Sequence, residues 1–276
     1  IIRAGGNSGE VKIAYNGASN NLKLAKAKLA ENDANEARGF IAKGLAQIGN
    51  LDNKKLIAIK EELNASLDAV DRVSPVLPTQ AGQLSSDQLE LAKTSRMLST
   101  DVWFNGAEIL AIKAKTYKLQ DPASAADATL YGSNLYVLSG NHIYKYGDAL
   151  VGGTKRSDWG TFEASLQSIA VDGNLYGLTN DSKIIIYFKG EKKSEFDPGL
   201  PTNDGNRIIT SKDGTLIYLA NPTAKRLYAL DKTNGSLQTS YKLDNIGSLK
   251  DIIVTSDGNV VILSTDGKVW EISVGQ

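Results

Sequence analysis

The chain has 276 residues and balances 31 Lys and Arg against 31 Asp and Glu, so its formal net charge is zero. That balance removes the global electrostatic argument for a nucleic-acid partner. The absence of Cys excludes disulfides, thiolate metal sites and Cys nucleophiles, and a single His, His142, excludes a multi-histidine metal site within one chain.

No apolar run reaches the roughly 20 residues that a membrane helix needs, so no membrane insertion by this segment is expected. The chain opens Ile1-Ile2-Arg3, which reads as a processed form or a fragment. An anchor upstream of residue 1 is compatible with that reading.

Residues 10–73 read as helix. Leu22, Ala25 and Leu29 recur at helical spacing, and Asn32-Asp33-Ala34-Asn35 reads as a turn with Asn35 as N-cap. Ala37, Ile41, Gly44, Ile48 and Leu51 then follow at steps of four and three, and the stripe resumes at Leu56, Ile59, Leu63, Leu67, Val70 and Val73. Such spacing predicts a coiled-coil-like seam. The expectation is an antiparallel helical hairpin, with helices near 10–31 and 35–73 and a break at Gly49-Asn50. The hairpin resembles one tetratricopeptide unit in shape, without that family's consensus or tandem repetition. Residues 74–99, with Pro75, Pro78 and Gly82, read as a linker with one short helix started at Ser85–Leu89.

From about residue 100 the period changes. Short apolar runs alternate with Gly-containing turns, and Gly106, Gly132, Gly173, Gly214 and Gly258 are separated by 26, 41, 41 and 44 residues. A repeat near 40–45 residues with three or four strands per unit is the signature of a β-propeller blade. Second strands are expected at 108–112, 134–138, 174–178, 215–219 and 259–263. The third strands each carry an aromatic: Tyr117, Tyr144, Tyr187, Tyr228 and Trp270. These rings are expected to be buried between blades. Asp172-Gly173, Asp213-Gly214 and Asp257-Gly258 are strong hairpin signals. They lack the ligand spacing of a calcium loop, so no metal is assigned to them.

The fold class is therefore α+β multidomain: a helical hairpin over 1–73, the linker, and an all-β propeller of about five blades over 100–276. The short first interval leaves ring closure open among three-stranded terminal blades, a strand donated from the N-terminal side, and a partner chain.

Leu227-Tyr228-Ala229-Leu230-Asp231-Lys232-Thr233-Asn234-Gly235-Ser236-Leu237 resembles the strand-turn-strand motif of bacterial propellers with YVTN, NHL or quinoprotein-like blades. Ser256-Asp257-Gly258-Asn259-Val260 and Val171-Asp172-Gly173-Asn174-Leu175 resemble their inner turns. The resemblance covers residues 100–276 and implies a blade, not an activity. Quinoprotein-type blades carry a Trp where Thr239 or Tyr241 stands here, which argues against a quinone cofactor. No cofactor is assigned.

Motif searches find no nucleophile elbow, no zincin helix and no phosphate loop. His142 lies at a turn and has no evident catalytic partner. In a propeller the innermost strands begin beside the central channel. The residues there are expected to be Asp101, Asp127, Ser168, Arg207 and Asp251, which either satisfy strand ends and one another or form a polar ring for a ligand. Arg156 and Trp159, in the loop 152–161, form a second candidate binding site. The leading reading is a non-enzymatic binding or scaffold module for a protein, peptide or glycan. The alternative is a propeller enzyme, a lyase or hydrolase with its site in the channel. A third reading is the extracytoplasmic ectodomain of an anchored bacterial surface protein, with the helices as a stalk.

Overall fold

The computed structural model describes residues 8–111, 116–122, 124–200 and 206–274. The chain divides into two compact units, with the boundary between Val73 and Ser74. Among the described residues no helix is long and apolar enough to cross a membrane.

The first unit holds three helices, the second helix of the expected hairpin being divided at the anticipated break at Gly49-Asn50: α1 (Ser8–Ala30), α2 (Ala34–Ile48) and α3 (Lys54–Val70). The long second helix is divided because Gly49 takes a left-handed φ of +52° at the end of α2. A glycine adopts that conformation at little steric cost. Asn53 then restarts the chain as a cap, accepting from the Lys55 N–H at 3.0 Å. The N-cap of α2 is Asp33, not Asn35; its side chain accepts from Glu36 N at 3.0 Å.

All three helices pack pairwise. Leu22, Ala25, Ile41, Ile48, Leu56 and Leu63 form their shared core. Full burial of each Leu or Ile contributes about 1.5–3 kcal/mol. Gly44 packs against both neighbouring helices: an added Cβ would lie 3.0 Å from Leu63 Cδ2 and 3.4 Å from Asn21 Cβ. At one end, Arg38 Nε donates to Asp71 Oδ1 at 2.8 Å, and both residues are buried.

The described residues of the second unit form five four-stranded antiparallel sheets. Blade 1 is β2 (Arg96–Ser99), β3 (Val102–Phe104), β4 (Glu108–Ala111) and β5 (Thr116–Lys118). Blade 2 is β6 (Asp127–Tyr131), β7 (Asn134–Ser139), β8 (His142–Tyr146) and β9 (Arg156–Thr161). Blade 3 is β10 (Leu166–Val171), β11 (Leu175–Thr179), β12 (Ile184–Phe188) and β13 (Glu191–Phe196). Blade 4 is β14 (Arg207–Thr210), β15 (Leu216–Asn221), β16 (Arg226–Asp231) and β17 (Leu237–Lys242). Blade 5 is β18 (Leu249–Val254), β19 (Val260–Ser264) and β20 (Lys268–Ile272), completed by β1 (Thr79–Gln83).

The inner strands β2, β6, β10, β14 and β18 touch in a closed cycle. One apolar cluster fills each of the five blade interfaces. Closure uses the strand donated from the N-terminal side: β1 pairs antiparallel with β20, Thr79 opposite Glu271. This pairing covers the edge that β20 would otherwise expose. The segment 74–99, read as a linker, thus carries the outer strand of blade 5, the short helix α4 (Ser86–Thr94) and the inner strand of blade 1. A capping box at Ser85 and Gln88 starts α4. Ala92 of α4 joins Met97, Trp103 and Leu263 in the cluster where blades 5 and 1 meet.

Two alignments shift as a result. Gly106 turns between β3 and β4, so Glu108–Ala111 is a third strand; the expected strand end at Ile112 lies outside the described residues. Tyr117 accordingly falls on an outer strand. Register places Tyr144, Tyr228 and Trp270 at one equivalent position of the third strand, and Ile185 takes that position in blade 3. Each packs toward the preceding blade. Tyr228 is fully buried, but Tyr117, Tyr144 and Trp270 are only half-buried.

Candidate functional site at the channel mouth

One position per blade, at the start of the inner strand, builds the centre of the ring. Arg96 opposes Phe104, Asp127 opposes Leu138, Ser168 opposes Leu178, Arg207 opposes Ala220 and Asp251 opposes Leu263. The backbone N–H of the following residue is the group each blade must satisfy.

An acceptor at this position takes that N–H from the next blade. Asp251 Oδ2 accepts from Met97 N at 2.7 Å, Asp127 Oδ2 from Ile169 N at 2.8 Å, and Ser168 Oγ from Ile208 N at 3.1 Å. A guanidinium cannot accept. After each Arg blade, the Asp therefore turns its second oxygen onto its own strand: Asp127 Oδ1 accepts from Ala128 N at 2.9 Å and Asp251 Oδ1 from Ile252 N at 3.0 Å. Ser168 Oγ also donates to Asp127 Oδ2 at 2.6 Å. The two aspartates are 3% and 1% exposed, and each of their four carboxylate oxygens accepts a backbone N–H.

The arginines are placed differently. Arg96 Nη1 contacts Asp127 Oδ1, while its Nε is 3.9 Å from Asp251 Oδ1 and is buried without a hydrogen-bond partner among the described residues. Burial pushes its guanidinium down to about 10, with Asp251 raising it and Arg207 lowering it further, so it is charged at neutral pH. Arg207 Nη1 lies 3.6 Å from Asp127 Oδ1 and 4.0 Å from Asp251 Oδ1. Those separations are ion pairs without hydrogen bonds.

Above this ring opens a cavity of about 570 Å³, lined by Arg96, Asp127, Arg207 and Asp251 with Lys93, Ser95, Asn105 and Lys250. Further along the same inner strands lies a smaller cavity of about 70 Å³, lined by Met97, Ala128, Ile169, Ile209 and Ile252.

The structure thus brings Asp127, Ser168, Arg207 and Asp251 together and leaves Asp101 out. Asp101 sits exposed in the turn between β2 and β3, at the other end of the inner strand. The fifth member is Arg96. Taking Gly106 for the inner turn displaced the blade 1 alignment. The signal was present: Arg96-Met97-Leu98-Ser99 mirrors Arg207-Ile208-Ile209-Thr210.

Arg156 and Trp159 lie on the outer strand β9, not in a loop. Arg156 Nη1 donates to the Asp121 carbonyl at 2.9 Å, and its guanidinium lies 4.6 Å from the Tyr144 ring centre. Trp159 packs edge-on against Tyr136, with centroids 6.2 Å apart, and against Phe162. His142 is at a hairpin turn, with Nδ1 3.0 Å from Thr161 Oγ1. Among the described residues no group of three or more His, Cys, Asp or Glu is arranged to hold a metal.

No protein-family model matches the chain, and no curated protein sequence matches it. Solved structures do. Glutaminyl cyclase of Myxococcus xanthus is 9% identical with a TM-score of 0.50, covering 72% of this chain and 98% of that one. BamB from Moraxella catarrhalis is 17% identical with a TM-score of 0.43, covering 66% of this chain and 57% of that one. YCF48 bound to a D1 peptide is 15% identical with a TM-score of 0.45, covering 66% of this chain and 63% of that one. The chain thus spans less than two thirds of the BamB and YCF48 structures. At such identities the likeness carries the fold and no residue roles. On that fold, and on its own ring of five sheets, the chain is a five-bladed β-propeller with helices on its N-terminal side.

Proposed function

We propose that the chain is a non-enzymatic binding module that takes a segment of a protein or peptide into the mouth of its propeller channel. The observation that carries this reading is the commitment of both channel carboxylates to backbone N–H groups, beneath an open cavity of about 570 Å³. A general base needs a free lone pair within reach of a substrate proton. Each oxygen of Asp127 and Asp251 already accepts a backbone N–H inside the ring, and both residues are buried, which disfavours the lyase or hydrolase alternative. A glycan is disfavoured for another reason. The aromatic residue on the described cavity wall, Phe104, is 3% exposed and presents no face for a sugar to stack on. Placement outside the cytoplasm belongs to the same proposal; a chain without Cys has no thiol to be oxidised there.

Ala107 lines the cavity and its side chain is exposed, so Ala107→Trp narrows the mouth without touching the ring. Random peptides displayed on phage and enriched on the wild type should lose at least about tenfold in affinity for this variant. Enriched peptides that bind both proteins equally would place recognition elsewhere on the surface.

A further inference from the structure

At the channel mouth every carboxylate oxygen accepts a hydrogen bond, while several side-chain donors have no partner among the described residues. Each oxygen of Asp127 and Asp251 already accepts a backbone N–H, from Ala128, Ile169, Ile252 or Met97. The donors are only partly consumed. Arg96 Nη1 meets Asp127 Oδ1, but its Nε is buried with no hydrogen-bond partner among the described residues, and the Arg207 side chain makes no hydrogen bond to them. Ser95, 4% exposed, also lines the cavity, and its Oγ is buried with no hydrogen-bond partner among the described residues. Buried donors left unmade are costly, so a site that concentrates them favours a ligand that supplies acceptors.

Charge narrows the ligand further. The two arginines and two aspartates cancel. Lys93 at the rim is paired with Glu90, while Lys250, half-exposed, has no ion-pair partner among the described residues. The cavity therefore carries about one net positive charge, which one carboxylate neutralises and a phosphate dianion exceeds. A guanidinium fork matches the planar carboxylate with parallel N–H donors.

We infer that the channel mouth is an anion site that seats a carboxylate of an acidic peptide on the guanidinium groups of Arg96 and Arg207, with Ser95 beside them and Lys250 at the rim. The inference rests on the mouth-binding reading and adds the chemical class of the ligand.

Calorimetry with N-acetyl-tetraglutamate tests it, with N-acetyl-tetraglutamine amide and inorganic phosphate as comparison probes. The acidic peptide should bind the wild type at least about tenfold more tightly than the neutral one, and more tightly than phosphate. Arg207→Gln should remove most of that preference, and Lys250→Gln should weaken binding by a few-fold and flatten its salt dependence. Circular dichroism establishes that each variant is folded. Equal affinity for the two peptides, or tighter binding of phosphate, overturns the carboxylate assignment. If phage-derived peptides blocked by Ala107→Trp prove to lack acids, the mouth remains the binding face and only this inference falls. If tetraglutamate binds and Ala107→Trp leaves its affinity unchanged, both readings fall.

Discussion

Among the described residues, Arg38 is buried against Asp71 in the helical unit and Arg96 packs against the buried Asp127 at the propeller centre, and the two settings are built differently. In the helical unit, one Arg meets one Asp: Arg38 Nε donates to Asp71 Oδ1 at 2.8 Å and Arg38 Nη1 to Asn35 Oδ1 at 3.2 Å. Asp71 also terminates α3, so the pair ties the start of α2 to the end of α3. At the propeller centre, two arginines face two aspartates whose oxygens already hold four backbone N–H groups. In the helices the anion is there for the cation. In the channel the anions are there for the backbone, and the cations are left facing the cavity. Similar ingredients give a structural clamp in one case and a set of unspent donors in the other.

The largest expected effect breaks the channel's structural half. Asp251→Ala strips the partner from Met97 N and from Ile252 N and leaves two guanidinium groups less compensated. Because Met97 and Asp251 lie on opposite sides of the ring closure, the loss is expected to be about 3–5 kcal/mol, read as a shift in the urea midpoint of the propeller transition. A loss below about 1 kcal/mol would mean that the inner strands hold their register without this bond.

The helical clamp should respond to single and double substitution in opposite ways. Asp71→Ala leaves the Arg38 charge buried and should cost about 3 kcal/mol. Replacing both residues, Arg38→Met with Asp71→Leu, should recover much of that loss, since an apolar pair restores packing without a desolvated charge. The check is thermal melting followed at the helical circular-dichroism band. A double variant as unstable as the single one would show that Asp71 matters as the α3 cap and not as the counter-ion.

The legibility of the two regions differs for a physical reason. Helical and strand periods are local, so the stripe through Leu22, Ile41, Leu56 and Leu63 and the blade repeats of 41 and 44 residues could be read directly. What failed was long-range pairing. Thr79–Gln83 reads as loop because its side chains are mostly exposed on an outer strand, and only its pairing with β20 makes it a strand. The break at Gly49 was visible as a glycine, yet its conversion of one helix into two depends on the +52° φ and the Asn53 cap. Asp127, Ser168, Arg207 and Asp251 were found by position in the repeat. Arg96 does not stand out in the sequence because blade 1 has short strands and a tight β2–β3 turn without Gly, so the conspicuous Gly106 marks the turn one strand later than in the other blades.

The smallest expected effect on stability is the one that separates binding from folding. Arg207 keeps 29% of its side chain exposed, lies 3.6 and 4.0 Å from its two carboxylate neighbours, and holds no described group in place by a hydrogen bond. Asp127 and Asp251 keep their backbone partners when it is removed. Partly solvated ion pairs at such separations contribute about 0–1 kcal/mol. Arg207→Gln should therefore shift the urea midpoint by no more than that, although it is expected to abolish most of the preference for an acidic peptide. A loss approaching that of Asp251→Ala would make Arg207 part of the clamp, and the channel would then resemble the Arg38–Asp71 pair in kind. A small loss of stability with a large loss of binding would set the cations of the channel apart as groups kept for a ligand.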